Sequence, residues 1–162
     1  MQEEQDIFIF PQQAVVYATF GQRLLATIID ALVLLIPNYI VQFSMGAGSF
    51  YSDLFIHRTF SFTAMSAQLL NIIISWLYMA LMESGPNCAS LGKMAMGIVV
   101  TSTHGERISF STASVRYFSK IISSIILYVG YFMMLWDDRN QTLHDKIAKT
   151  IVTKKQSFIP GN

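Results

Sequence analysis

Residues 23–37 read Arg-Leu-Leu-Ala-Thr-Ile-Ile-Asp-Ala-Leu-Val-Leu-Leu-Ile-Pro and set one carboxylate, Asp30, in an otherwise apolar run of membrane length. An ionisable group at that depth costs about 2.5–3.5 kcal/mol on insertion scales, so it faces protein or water and has a partner. Arg23 lies two helical turns earlier on nearly the same face. The axial gap of about 10 Å, at 1.5 Å per residue, is long for a direct ion pair. Asp30 is therefore expected to need a third group, and Arg116 and Asn71 are the candidates from other apolar segments.

Composition places this run in a membrane protein. The 162 residues are 52% hydrophobic and 13% charged, about half the charge of a typical soluble domain, roughly 25%. The apolar residues also come in blocks. A net charge of +1 gives no basic field for nucleic acid. Cys88 is the only cysteine, and His57, His104 and His144 have no metal-ligand spacing, so neither metal nor cofactor is expected. No nucleophile, base and orienting group come together in sequence, so the chain is not expected to be an enzyme. Glu3, Glu4 and Asp6 stand where a signal peptide needs positive charge, and the first apolar run is read as a retained anchor.

Taken in order, residues 1–22 form an interfacial segment with Phe8, Phe10, Tyr17 and Phe20 at headgroup level. Pro11 interrupts it, and a helix is expected from near Gln12 into the membrane. The membrane domain, residues 23–155, has spans at about 24–43 and 65–82 and a third apolar region at 115–136. Pro37 predicts a kink in the first span. Asn38, Gln42 and Asn71 are polar for their depth and suited to bonds between helices. Ser90 is placed to cap a short helix at 91–96 that Gly97 ends. The β-rich residues 98–101, followed by His104-Gly105-Glu106, suggest a small hairpin with 107–109. Ser111 is expected to cap the next helix, with Phe110 stapled to Val115. Arg116 and Lys120 would snorkel at the start of the third region, and Gly130 could break it. Thr142 caps a last short helix before the β-prone residues 150–153 and a tail at 156–162.

Basic residues should gather on the cytoplasmic side. Three simple crossings split the eleven Lys and Arg five against six, which is no signal. A third region that enters and returns on one face puts all of them except Arg58 together. Two full crossings need about 40 residues, so the third region is expected to be a broken or re-entrant hairpin, with an ordinary crossing as the alternative. Both termini are then cytoplasmic, and residues 98–101 and 151–153 could pair in a small cytoplasmic sheet.

Three blocks now fall into a pattern: YATFGQRLLATIID at 17–30, SLGKMAMGIVV at 90–100 and RNQTLHDKIAKTIV at 139–152. Together they resemble the RDD family of small prokaryotic multi-pass membrane proteins, over roughly residues 12–155. The resemblance implies that the family's arginine and two aspartates are Arg23, Asp30 and Asp145. It implies no shared enzymatic activity, and it carries suggestions of transport, including sodium/proton exchange. Lys149 departs from the pattern, because it stands where the family often has glycine before a Thr-Val-Val strand.

The expected fold is an all-α polytopic membrane protein with a small cytoplasmic hairpin or sheet, in a prokaryotic inner membrane. The leading functional reading is monovalent cation/proton exchange with Asp30 as the protonatable group. Three or four segments rarely enclose a pathway alone, so that reading expects a homo-oligomer. The other is a non-transporting scaffold or accessory subunit in which Arg23, Asp30 and Asp145 are structural. Asp145 in particular sits where a capping-box acid belongs, with Lys149 four residues on. His144 is read as an interface residue able to titrate near neutral pH.

Overall fold

The computed structural model describes residues 15–46, 52–57, 61–125, 137 and 139–157. Two helices dominate it, α1 (Phe20–Ser44) and α2 (Phe62–Ser84), both long and apolar enough to cross a membrane. A π-helical turn at Ser52–Ile56 lies between them. The remaining elements are short: α3 (Leu91–Ala95), β1 (Ile98–Ser102), α4 (Phe110–Ile125), α5 (Leu143–Ile147), β2 (Thr150–Lys154) and a 3-10 turn at Lys155–Ser157.

α1 begins where its cap is. Thr19 and Gln22 form a capping box, with Thr19 N–H on Gln22 Oε1 at 3.1 Å and Gln22 N–H on Thr19 Oγ1 at 3.4 Å. The described residues before the cap, 15–18, are therefore not part of the helix expected from near Gln12 into the membrane; residues 1–14 lie outside the described ones. Residues 16–18 run extended along β2 instead, with Tyr17 bridged to Thr153 and Ala18 N–H on Val152 O at 2.9 Å. The helix continues through Pro37 to Ser44 unbroken.

β1 and β2 are antiparallel, with Val100 opposite Val152. Both are buried on both faces along their first four residues, which explains their continuous Ile/Val/Thr content. The expected hairpin with 107–109 does not form. Ser102 N–H donates to Glu106 O at 2.9 Å, closing the turn at once, and the chain leaves β1 for α4. The cap of α4 is Ser109 and not Ser111, since Thr112 N–H donates to Ser109 Oγ at 3.2 Å. Phe110 turns to Trp76, 5.8 Å between ring centres, and Trp76 Nε1–H reaches Ser114 at 3.0 Å, joining α2 to α4.

The second half of the third apolar region, residues 126–136, lies outside the described residues, and so does its proposed break at Gly130. Its flanks are informative. Arg116 in α4 and Asp145 in α5 are 2.7 Å apart, so the chain leaves and regains the same end of the molecule. That end also holds the start of α1, the end of α2, α3 and the sheet, whose core is small: Ala18, Ala26, Ala80, Ile98, Val100, Ile108, Ala113 and Val152. Away from it, α1 leaves Leu32, Leu35, Ile36, Tyr39, Ile40 and Phe43 exposed, as suits lipid.

Lys149 joins α5 to β2 with φ +52°, a left-handed backbone that disfavours a side chain. The glycine usual in the resembled pattern has a physical reason here. Replacing Lys149, which is exposed, by glycine should stabilise the protein by about 1 kcal/mol and raise its detergent melting temperature by about 2–4 °C.

Candidate functional site

Where α1 starts and α2 ends, a chain of buried charges crosses the bundle. Arg116 is 2% exposed and bridges two carboxylates, with Nη1 3.2 Å from Glu83 Oε2 and Nη2 2.7 Å from Asp145 Oδ1. Arg23 Nη1 binds Asp145 Oδ2, and Arg23 Nη2 donates to Asn140 O at 2.8 Å. Lys93 Nζ binds Glu83 Oε1, and Lys120 Nζ approaches the same oxygen at 4.0 Å. Four cations thus share two carboxylates, drawn from α1, α2, α3, α4 and α5.

Each side chain is there for a local reason. Arg23 occupies the first turn of α1 and Glu83 the last turn of α2, antiparallel helices whose ends meet. Asp145 is the third residue of α5 and accepts Thr142 N–H at 3.2 Å, the acid's half of a capping box. The same carboxylate thereby starts its own helix and ties that helix to α1 and α4. Burial would raise the Asp145 carboxyl, but Arg116 and Arg23 outweigh it and hold it well below the usual carboxylate range. Burial pushes Lys93 down to about 7 against the pull of Glu83. Burial also pushes His144 down to about 2, so it is neutral at physiological pH and does not titrate near 7 as expected. Its Nε2 lies 3.0 Å from Thr142 Oγ1.

Asp30 belongs to a second, neighbouring set and touches none of the expected partners Arg23, Arg116 or Asn71. Its carboxylate accepts Tyr78 O–H at 2.8 Å, Gly92 N–H at 2.8 Å and Ser90 O–H at 2.5 Å. Tyr78 in turn accepts Leu91 N–H at 3.1 Å. Ser90 stands at the N-cap of α3 as expected, yet its hydroxyl serves Asp30, and Asp30 satisfies the first turn of α3 in its place. The approach is close: a Cβ on Gly92 would sit 2.0 Å from Ala26 O and 2.9 Å from Asp30 Cγ. Asn71 is buried on α2, and its Oδ1 has no hydrogen-bond partner among the described residues.

Sequence reasoning selected Arg23, Asp145 and Arg116 but did not join them. It gave Glu83, Lys93 and Tyr78 no part in a site, and the snorkelling expected of Arg116 and Lys120 does not occur, because both turn inward to Glu83. Glu83 carried one signal, a carboxylate at the end of an apolar span. Tyr78 carried none, since an aromatic in a membrane helix is unremarkable. Among the described residues no His, Cys, Asp and Glu cluster could hold a metal ion.

Two consequences can be measured. Arg116→Leu leaves Glu83 and Asp145 buried without their shared cation and should destabilise the protein by about 3–5 kcal/mol, read as detergent melting. Unfolded His144 regains an ordinary pKa near 6.5. Below that pH the unfolded chain binds a proton that the folded chain refuses. Stability should fall by about 2 kcal/mol between pH 6.5 and 5, and His144→Gln should flatten that slope. Lys93 acts in a higher window, where stability should climb with pH above about 7.

Comparison with known proteins gives the chain its relatives. The model of the RDD family matches residues 17–149. The uncharacterized protein YxaI of Bacillus subtilis (strain 168) is 33% identical over 150 residues, covering 85% of this chain and 97% of that protein. A proline-rich antigen homolog of Mycobacterium tuberculosis (strain CDC 1551 / Oshkosh) is 41% identical over 64 residues, 39% of this chain and 27% of that protein. The proline-rich antigen of Mycobacterium leprae (strain TN) is 25% identical over 155 residues, 87% of this chain and 61% of that protein. No solved structure matches.

Proposed function

The chain is a member of the RDD family, and we propose that it acts as a non-transporting membrane scaffold or accessory module. In this reading Arg23, Asp30 and Asp145 fix a cytoplasmic cap onto the membrane helices. The observation that supports it most directly is the coordination of Asp30. A carboxylate that is 2% exposed takes three donors, on α2 and on the N-cap and first turn of α3. Such a group holds elements in register and leaves little for a transported ion to bind. Charge supports a cytoplasmic location for the cap: every Lys and Arg except Arg58, which falls between α1 and α2 in sequence, belongs to the segments at the end that carries the sheet. The host would be the inner membrane of a prokaryote, with multiple passes and both termini inside. The exposed apolar faces of α1 and α2 would meet lipid, a second copy or a partner's helix.

A second reading keeps exchange of a monovalent cation or proton, and one feature favours it. Two of Asp30's donors are hydroxyls, Tyr78 and Ser90, which can accept as well as donate. The carboxyl could then gain and lose a proton without losing its partners.

One substitution separates the readings. Under the scaffold reading, purified protein in proteoliposomes with imposed Na⁺, K⁺ or pH gradients shows no flux with or without Asp30→Asn. The same substitution lowers stability by about 1–3 kcal/mol, the cost of weakening charge-assisted bonds in a buried site. Flux in the wild type that disappears in Asp30→Asn would instead establish exchange.

A further inference from the structure

A groove of about 460 Å³ opens where the first turn of α1 meets the end of α3 and the end of β2, lined by Gln22, Met96, Gly97, Lys154, Lys155 and Gln156. We propose that this groove binds the phosphate of an anionic phospholipid headgroup in the leaflet that α1 enters.

Charge comes first. The lining holds two lysines and no carboxylate. Neither Lys154 nor Lys155 forms an ion pair with a carboxylate among the described residues. Gln22 adds a donor: its Oε1 is occupied by Thr19 N–H, so the free end of its amide is the NH₂. Behind the groove, the ionic network carries four cations against two carboxylates, which adds to the positive field at this end of the molecule.

Depth comes second. Gln22 is in the first turn of a helix long enough to cross a membrane, which puts it at headgroup level. α3 packs against α1 at Gly92 and Ala26, and Leu91 and Met94 on its outer side are exposed. An apolar patch on a short helix at that level belongs among acyl chains, with its polar end among headgroups. The groove floor has the same mixed character, with Met96 beside the lysines. Backbone bonds hold the walls together, since Lys155 N–H donates to Gly97 O at 2.9 Å. A free phosphate would satisfy the lysines alone; a phospholipid would also use Leu91, Met94 and the exposed Leu24 and Leu25 of α1.

The test uses the full chain purified in detergent and native mass spectrometry with phosphatidylglycerol and phosphatidylcholine of identical acyl chains. Phosphatidylglycerol should be retained about thirtyfold over phosphatidylcholine, in line with about 1 kcal/mol for each of the two lysines near an anionic surface. Lys154→Gln/Lys155→Gln should bring that ratio near one. Lys149→Gln, an exposed lysine outside the groove, should leave it unchanged. Excess inorganic phosphate should not displace the lipid. If the double variant elutes as aggregate, Lys155→Gln alone, at an exposed position, should lower the ratio by about fivefold. An equal ratio in wild type, a ratio unchanged in the groove variants, or displacement by inorganic phosphate overturns the proposal.

Discussion

Arg116 holds two buried carboxylates at once, Glu83 on α2 and Asp145 on α5, and Arg23, Lys93 and Lys120 gather on the same two acids. A guanidinium in a fork can serve two acids at fixed angles, which a lysine cannot. Each acid then needs a second cation, supplied by Lys93 for Glu83 and by Arg23 for Asp145. The network closes the bundle without a large apolar core. It also brings residues far apart in sequence, 23 and 145, into direct contact.

The polarity of the fold is inverted with respect to a soluble domain. α4 buries Arg116 and Ser119 and leaves Val115, Phe118 and Ile121 exposed. α1 buries Ala26 and Asp30 and exposes Leu24, Leu25, Ile28, Leu32 and Leu35. In water this arrangement would be unstable, because charge would be desolvated and apolar surface wetted. In a bilayer it is the favoured one: lipid takes the apolar faces, and side chains pair inside. Small residues let the helices approach closely enough for those pairs to form. Ala26 against Gly92 is the tightest case.

Asp30 and Asp145 do the same kind of work by different means. Asp145 is paired with arginines and starts α5, whereas Asp30 is paired with hydroxyls and a backbone N–H and starts α3. Each acid sits at the N-terminus of a five-residue helix and ties that helix to a longer one. α3 leads into β1 and α5 leads into β2, so the sheet is hung from the membrane helices through two carboxylates.

Much of this was legible in the chain itself. Two apolar runs of sufficient length fixed the long helices, because crossing a membrane is a matter of length and composition. The glycine at 97, the Ser90 cap position and the Thr/Val/Ile runs marked α3, β1 and β2, since backbone preferences act locally. The capping box at Thr19 and Gln22 was equally local, and reading it would have corrected the start of α1. Which charge meets which was not legible. Helical phase put Arg23 beside Asp30, but phase describes one helix, and both side chains turn to partners from elsewhere: Arg23 to Asp145, Asp30 to Tyr78, Ser90 and Gly92. Only the tertiary structure decides such pairs. A buried charge is satisfied by whatever donor the packing of other elements brings within about 3 Å, and sequence spacing carries no record of that.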